Sequence, residues 1–405
     1  GNLTFDHANV SVKTQKTSTT WPIITVSTPR NMTVIGGKVE IIAAGYANSG
    51  LSVTGNLEVK ENGILIITTS SRPSSGNCKN RPFGVTVKGD IEVYATQNAN
   101  GASRVAVIAG GNSYGDVTMK NVHVIANEGS YLIANNNTGA LAGQLQGKAV
   151  CENCTSNIDV TVNKFFAGGL IGLAAGDQLF VNCHTTGDVS VVAGREGKAH
   201  DHYRVGGIAG GWADGAKNVC TLVDCSYTGE LSGTNADGSV AEKFDYMGYV
   251  GRGYTLNGCQ GSKVIIDGLS FVQKYNTAAE AGIYDVTGAN GEKVVMVSTV
   301  EELNKLNAKN VLVILAADLD FLGAAMTKPI ELWGDSTFDG MGHKISNVKT
   351  AVQGGYATSL FRGDANPGNK VVKNLVVEGL TTPAGYSFAA AIWSDLQGAN
   401  IEIDN

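Results

Sequence analysis

The sequence predicts an all-β fold, a right-handed parallel β-helix, in which short strands stack coil upon coil into a solenoid. Three observations favour it: a weak repeat recurs along the chain, Gly contributes 53 of 405 residues against seven Pro, and apolar residues alternate in short runs. Self-similarity at a period of tens of residues is typical of stacked repeats. Strands on successive coils must then be parallel, and parallel crossovers are almost always right-handed.

The repeat joins a glycine-rich turn to a Cys or Asn eleven residues later, and an alternating apolar strand follows. The pairs that show this spacing are Gly110 and Asn121, Gly143 and Cys154, Gly172 and Cys183, and Gly363 and Asn374. Equivalent positions in a solenoid stack on one another. We therefore expect these Cys and Asn residues to occupy one column.

The first hundred residues contain short alternating strands, predicted at 23–26, 39–42, 57–59 and 64–67, and a protruding loop at 71–83. Strands of this length with Gly and Asn turns fit solenoid coils and a β-sandwich equally well. A sandwich formed by residues 1–100 therefore stays open as an alternative for this part of the chain.

The pattern divides into two tandem or stacked modules, residues 1–297 and residues 298–405. Near the boundary Thr299 stands three residues before Glu302, and Leu303 and Leu306 follow in a segment without Gly or Pro. A Ser or Thr followed three residues later by Glu is a capping box. This pattern predicts a short capping helix near residues 299–308, at the start of the second module.

The charge pattern excludes some classes of protein. The formal net charge is −6 and no cluster of Lys or Arg stands out, whereas a nucleic-acid interface needs a basic stripe. No apolar run is long enough for a membrane span. The chain starts at Gly1 and enters strand-like sequence directly, which is typical of a processed chain from which an export signal has been removed.

Seven cysteines are present, and four of them occupy equivalent repeat positions: Cys154, Cys183, Cys225 and Cys259. Neighbouring strands lie about 4.8 Å apart, so we expect a column of small buried residues. One or two disulfides between coils are compatible with that spacing. A zinc site formed by Cys151, Cys154, Cys220 and Cys225 is disfavoured, because the column spreads the thiols along an axis.

Two segments share a longer pattern. The first copy has Gly-Gly-Leu-Ile-Gly at 168–172 and Asn-Cys-His-Thr-Thr-Gly-Asp-Val at 182–189. The second copy has Gly-Gly-Ile-Ala-Gly at 206–210 and Asp-Cys-Ser-Tyr-Thr-Gly-Glu-Leu at 224–231. These segments resemble the GLUG-motif family, found in repeats of bacterial surface proteins that include some immunoglobulin-A proteases. Residues 299–306, 318–320 and 338–343 resemble the usual lead-in to such repeats.

The resemblance covers residues 105–260 and 298–405, whereas residues 1–100 match only as general β-helix sequence. It implies a β-helix on an exported bacterial protein, either secreted or held at the cell surface, and it implies no active site. Many glycine-rich solenoids of this kind are described as adhesins.

Three acidic residues, Asp159, Asp188 and Glu230, each follow a repeat Cys by five residues. We expect them to stack on successive coils, where like charges either raise each other's pKa or recruit a cation such as Ca²⁺. The alternative is that each acid stabilises its own turn. The sequence at 111–115 fits G-x-S-x-G, but a nucleophile elbow needs a helix after it, and strand-like sequence follows here.

Insertions supply the best candidate for a binding site. Relative to the preceding coil, two coils have extra residues at one corner, 193–204 and 233–245, and a third extension at 270–282 could adjoin them. Adjacent loop insertions often form the binding face of a solenoid. The candidate ligand-binding residues are Arg195, His200, Asp201, His202, Tyr203, Arg204 and Trp212. We expect no cofactor, no metal and no catalytic residue.

Three functions remain open. The leading one is a non-catalytic exported protein, an adhesin that binds polysaccharides or host-surface proteins through a solenoid face. The second is a polysaccharide lyase or glycoside hydrolase that uses the stacked acids with Arg195 or Arg204, since such enzymes need paired carboxylates or an acid-bound Ca²⁺ in a groove. The third is a structural stalk at the cell surface.

Overall fold

The chain forms an all-β structure of short strands with one helix among the residues described, as seen in a computed structural model. The described residues are 1–14, 23–43, 48–53, 55–69, 81–95, 106–113, 116–145, 147–163, 166–174, 176–192, 205–211, 219–234, 239, 263–266, 269–273, 284–289, 291–353, 356–357, 359–363, 368–384, 392–394 and 400–404.

The chain divides into two compact units. Unit 1 comprises Gly1–Tyr246, Gly251–Asp267 and Phe271–Asp285, and unit 2 comprises Met247–Val250, Gly268–Ser270 and Val286–Asn405. Two strands, Leu269–Gln273 and Tyr284–Thr287, occur where the units alternate along the chain. The division into sequence modules at 297/298 stays a prediction, because these units are defined by contacts in space and the modules by repeats in the sequence.

Unit 1 contains four main sheets, A to D. Sheet A comprises Leu3–Asp6, Met32–Ile35, Asn56–Lys60 and Arg81–Pro82. Sheet B comprises Asn9–Thr14, Lys38–Ala43, Ile64–Thr69, Val85–Gly89, His123–Ala126, Thr155–Ser156, His184–Thr185 and Ser226–Tyr227. Sheet C comprises Glu92–Ala95, Tyr131–Ala134, Asp159–Val162, Val189–Val191 and Leu231–Gly233. Sheet D comprises, within unit 1, Val117–Lys120, Ala149–Glu152, Gln178–Val181, Val219–Val223 and Lys263–Ile266.

Three smaller sheets complete unit 1. Their strands are Ala109–Ser113, Ala142–Leu145 and Ile171–Ala174; Thr138–Gly139, Ala167–Gly168 and Val205–Gly206; and Ile23–Thr28 with Asn48–Val53. The strands expected between residues 23 and 67 are all found. They pair in parallel with one another or with the strands beside them, and Val85–Gly89 pairs in parallel with His123–Ala126. The sandwich alternative for residues 1–100 is therefore wrong, because its strands would be antiparallel.

Unit 2 is also built from short parallel strands. They form three sets of neighbouring strands. The first set is Lys293–Val297, Val311–Leu315, Ser336–Asp339, Asn369–Lys373 and Asn400–Asp404. The second is Ala308–Lys309, Ile330–Trp333, Phe361–Gly363 and Trp393–Ser394, and the third is Leu319–Asp320, Lys344–Ser346 and Val376–Glu378. A short antiparallel pair, Val352–Gln353 and Tyr356–Ala357, also occurs. An aromatic column lies in the core, where Phe361 contacts Phe338 edge-on at 5.2 Å and stacks on Trp393 at 5.6 Å.

The predicted helix is present at Val300–Lys305 and begins as the sequence indicates. The Thr299 side chain accepts the backbone N–H of Glu302, and the Glu302 side chain accepts that of Thr299. This capping box satisfies two backbone donors that the first turn would otherwise leave unpaired. Leu303 faces the core of unit 2.

Asparagines form a corner ladder in unit 1. Asn121, Asn153, Asn182 and Asp224 all adopt a left-handed backbone, with φ between 50° and 52°. The Nδ2 of Asn153 donates to Oδ1 of Asn121 at 2.7 Å, and the Nδ2 of Asn182 donates to Oδ1 of Asn153 at 3.2 Å. Asn tolerates this backbone better than most residues. The ladder therefore turns the chain from sheet D into sheet B.

The Cys residue that follows each corner points inward. Register places Val122, Cys154, Cys183 and Cys225 in one column, as predicted for the three cysteines, while Cys259 lies outside the described residues. Two positions in the predicted repeat are wrong by one residue. Strand Ala109–Ser113 carries an irregularity against its neighbour, so Asn121 is a corner residue and Val122 takes the inward place. Asn374 likewise has φ of 51°, and Leu375 packs against the core of unit 2.

The thiols of the column are free and buried. The Sγ of Cys183 donates to the carbonyl of Cys151 and to that of Val181, both at 3.4 Å. A hydrogen bond with the Cys154 thiol, followed by burial, raises the pKa of Cys183 to about 12. Similar contacts raise the pKa of Cys154 and Cys225. Thiols held protonated are poor nucleophiles.

Two facing positions inside the repeats compensate in size: where the side chain at one is larger, the residue at the other is smaller. Ser156, Thr185 and Tyr227 stack in one inward column. A methyl group added to Gly169 would lie 2.0 Å from the carbonyl oxygen of Gly207 and 3.0 Å from the Thr185 side chain, and one added to Gly207 would lie 2.1 Å from the Tyr227 ring. Ala140 occupies the equivalent place opposite Ser156. The largest side chain therefore requires glycine opposite it.

The Tyr227 ring leaves its hydroxyl without a hydrogen-bond partner among the described residues, although the residue is only 4% exposed. By contrast, Thr185 Oγ1 donates to the carbonyl of Gly207 at 2.6 Å. Burial, and then the charges of Asp188 and Glu230, raises the pKa of Tyr227. A buried polar group without a partner destabilises a fold.

We expect the column cysteines to resist alkylation in the folded protein. Burial and raised pKa values keep Cys154, Cys183 and Cys225 protonated and out of contact with reagent. Peptide mass spectrometry after iodoacetamide treatment measures the extent of modification at each cysteine. These three should be modified in urea and not in buffer. Equal rates in the two conditions would contradict the buried column.

The variant Tyr227→Phe should be more stable than the parent chain by about 1 kcal/mol, because it removes a buried unpaired hydroxyl and keeps the ring. The matched variant Thr185→Val should be less stable, because it removes the donor to the Gly207 carbonyl. Urea unfolding followed by circular dichroism gives both shifts. A destabilised Tyr227→Phe variant would show that the hydroxyl has a partner in the folded chain.

Candidate binding face

The outer surface of sheet C carries three columns of mostly polar side chains, with Ile133 and Val192 as apolar members, and we name this surface the C face. The first column contains Tyr131, Asp159, Asp188 and Glu230; the second contains Ile133, Thr161, Ser190 and Ser232; the third contains Asn135, Asn163, Val192 and Thr234. Residues of one column lie about 4.8 Å apart on neighbouring strands. The result is a regular surface of carboxylates, hydroxyls and amides.

The acidic column stacks as the sequence predicts. Oδ1 of Asp159 accepts the backbone N–H of Asp188 at 2.9 Å, and Oδ1 of Asp188 accepts that of Glu230 at 2.8 Å. All three residues are exposed. Each of the two aspartates therefore holds the start of the neighbouring strand rather than its own turn, so the role is structural but differs from the predicted one.

The same contact recurs elsewhere in the chain, which supports a structural role for it. An aspartate before a strand accepts a backbone N–H from the next coil in four further pairs: Asp116 with Lys148, Asp177 with Val219, Asp318 with Lys344, and Asp335 with Asn369, at 2.8–3.0 Å. Carboxylates that accept such a hydrogen bond lie on several faces of both units. The acid column of the C face is one instance of a general device.

Hydrogen bonds also link the other two columns. Thr161 Oγ1 and Ser190 Oγ lie 2.8 Å apart, and the Nδ2 of Asn163 donates to Oδ1 of Asn135 at 2.7 Å. The Thr234 hydroxyl donates to the carbonyl of Val192. These contacts fix the hydroxyl and amide groups in place while the side chains remain half-buried. Fixed polar groups can recognise a ligand with little loss of side-chain entropy.

The register locates one long insertion at the edge of the C face. Strands Asp159–Val162 and Ala167–Gly168 are joined by residues 163–166, whereas their partners Val189–Val191 and Val205–Gly206 are joined by residues 192–204. The described chain before the insertion therefore ends at the third column, where Val192 is 52% exposed. Thr234 takes the same position on the neighbouring strand.

The residues predicted to contact a ligand lie in that insertion and just beyond it. Arg195, His200, Asp201, His202, Tyr203, Arg204 and Trp212 are all outside the described residues. So are most residues of the other two predicted extensions, 233–245 and 270–282. Their roles stay predictions. The register nevertheless establishes where the first loop begins and ends.

The described residues also bear on three other features: groups that could bind a metal, the G-x-S-x-G segment, and helices that could span a membrane. In the part of the chain that the structure describes, no group of three or more His, Cys, Asp and Glu side chains could hold a metal ion. After the G-x-S-x-G segment the chain forms the strand Val117–Lys120, so the helix that a nucleophile elbow requires does not follow. No described helix has the length and apolar character needed to cross a bilayer.

One hydrogen-bonded set was not anticipated from the sequence. His184 lies on the outer surface of sheet B, with Nδ1 2.7 Å from Ser226 Oγ and Nε2 2.9 Å from Asn182 Oδ1. His184 and Ser226 each follow a repeat Cys directly, so alignment of the coils on their cysteines would have placed them side by side.

Comparison with models of protein families, with curated proteins and with solved structures finds no match.

The variant Asp188→Ala should be less stable by about 1 kcal/mol, because the backbone N–H of Glu230 loses its acceptor. Asp188→Asn should be neutral or slightly stabilising, because the amide oxygen still accepts and one like charge is removed from the column. The urea midpoint measures both effects. Equal destabilisation by the two substitutions would mean that the charge, rather than the acceptor, is what the fold requires.

Proposed function

We propose that this chain is a right-handed parallel β-helix of two modules related to the GLUG-motif family. The parallel register from coil to coil in both units supports the solenoid, and the general handedness of parallel crossovers supports the right-handed form. The capped helix Val300–Lys305 then begins the second module. The family relation rests on the segments 168–189 and 206–231, whose turns and inward cysteines occupy equivalent places.

In this proposal the protein is exported, acts at the cell surface or after secretion, and binds glycans or host-surface proteins without catalysing a reaction. The observation that carries it is the position of the insertion 192–204 at the edge of the C face. A long loop beside a regular polar surface combines adaptable contacts with a fixed platform, as binding sites on rigid scaffolds do. The family resemblance supports the export.

The C face has the chemistry that sugar hydroxyls require. Thr161, Ser190 and Ser232 donate or accept hydrogen bonds, and the amide of Asn163 and the carboxylates of the first column add further acceptors. On the inserted loop Tyr203, and just beyond it Trp212, would pack against sugar rings, and Arg195 would pair with acidic groups. An adhesin of this type needs many modest contacts rather than one deep pocket.

A lyase or hydrolase receives less support from the geometry. The Oδ1 atoms of Asp159 and Asp188 accept backbone N–H groups of the next coil, so these carboxylates have a structural duty. Catalysis by a pair of carboxyl groups would need two that are free to act on the substrate, and among the three stacked acids only Glu230 is without such a contact in the described residues. A stalk is the simplest remaining function, but it gives no reason for a long insertion at a single corner.

A glycan array, together with binding to intact host cells, tests the proposal. The variant in which residues 192–204 are replaced by the sequence of 163–166 should bind at least tenfold more weakly, since it retains the register and removes the loop. Ser190→Lys should also weaken binding by about tenfold or more, because it places a long charged chain at the centre of the face.

Ser11→Lys serves as the matched control, because Ser11 is an exposed serine on another sheet. It should bind as the parent chain does. Failure of the parent chain to bind any glycan or cell surface would contradict the adhesin and leave the stalk. Binding that survives both the loop replacement and Ser190→Lys would place the ligand on a different surface.

A further inference from the structure

The contact between His184 and Ser226 connects two coils on the outer surface of sheet B, away from the C face. The two residues are paired in register although they are 42 positions apart in the chain. Both side chains are half-buried. The 2.7 Å separation of Nδ1 and Oγ is a short hydrogen bond, so a basic nitrogen and a primary hydroxyl are held together.

The corner ladder determines which ring nitrogen carries the proton. Asn182 donates its Nδ2 to Asn153, which orients Oδ1 of Asn182 toward Nε2 of His184 at 2.9 Å. Because Oδ1 can only accept, Nε2 of the neutral imidazole must carry the hydrogen. Nδ1 is then left with its lone pair and accepts the Ser226 hydroxyl.

This set has the order of parts that an activated serine needs: a hydroxyl, a base within hydrogen-bond reach, and a third group that orients the base. We propose that Ser226 is a base-activated nucleophile that accepts acyl groups from small activated esters. The proposal does not depend on glycan binding, because it concerns another surface and other residues.

The reaction has two balanced steps. Ser226 Oγ bonds to the ester carbonyl carbon, its proton passes to Nδ1 of His184, and the carbon–oxygen bond to the leaving alcohol breaks as that oxygen takes the proton. Water then attacks the acyl-serine, gives a proton to Nδ1, and releases the carboxylic acid as Ser226 recovers its hydrogen. Asn182 does not touch the reacting atoms and acts as a positioning residue.

The backbone around Ser226 limits the substrates. The N–H of Ser226 donates to the carbonyl of Cys183 and the N–H of His184 donates to that of Cys154, both at 3.0 Å. These two donors are therefore occupied and do not stabilise a negatively charged intermediate, which normally supplies a large part of acyl-transfer catalysis. Esters with good leaving groups depend least on stabilisation of this intermediate, so they should be the substrates. Hydrolysis of the acyl-serine lacks the same stabilisation and should be slow, so the acyl-serine should accumulate.

The full chain treated with p-nitrophenyl acetate tests the inference. We expect a burst of p-nitrophenolate and one acetyl group on the peptide that contains Ser226, found by mass spectrometry. Ser226→Ala should abolish both. His184→Gln should slow acetylation of Ser226 by about a hundredfold, the lower range for loss of a general base, while circular dichroism shows that the fold is retained.

Two further comparisons distinguish activation of Ser226 by His184 from the reactivity of any exposed serine. Ser11 is exposed and contacts Glu40 rather than a histidine, so it should stay unmodified, and Ser11→Ala should acetylate Ser226 as the parent chain does. Asn182→Ala should slow the reaction and Asn182→Asp should restore it, since only the acceptor is needed. Acetylation of Ser226 no faster than of Ser11, or an unchanged rate in His184→Gln, would overturn the inference.

Discussion

The constraint on which the structure depends is the parallel, in-register hydrogen bonding of most strands to equivalent strands of the neighbouring repeat. It satisfies the backbone groups of one coil with those of its neighbours, and it forces side chains of equivalent residues into columns. A column is tolerable only when its members stack well. Small thiols, hydroxyls and aliphatic groups do so inside, and amides that bond to one another do so at the corners.

This constraint also explains why conspicuous residues need not be functional. The acids at 159, 188 and 230 have the spacing of a cation-binding row, yet the structure uses two of them as acceptors for the next strand. The cysteines have the spacing of disulfides, yet they pack as free thiols. In a stacked fold, regular spacing is first a property of the scaffold. Departures from it, such as residues 192–204, are better evidence of a selected function.

The sequence was sufficient to predict the features that depend on local pattern. These include the strands between residues 23 and 67, the capped helix at Val300 and the stacking of Cys154, Cys183 and Cys225. It misplaced Asn121 and Asn374 by one residue, as their left-handed backbone shows. For Asn121 the reason is an irregular strand that changes the spacing from the glycine turn, which spacing alone cannot show. The predicted alignment of Cys183 with Cys225 already places His184 beside Ser226, but the hydrogen bond between them was not predicted, because spacing does not give the orientation of side chains.

The exchange of volume between facing positions also bears on how such a protein can evolve. Ala140 faces Ser156, Gly169 faces Thr185, and Gly207 faces Tyr227, so each repeat contains a matched pair contributed by segments 16 or 20 residues apart. Recombination within a coil would join a tyrosine to an alanine, and the two would overlap. Gene duplication must therefore copy whole coils, and the single coil, rather than the strand or the turn, is the heritable unit from which longer chains of this kind can grow.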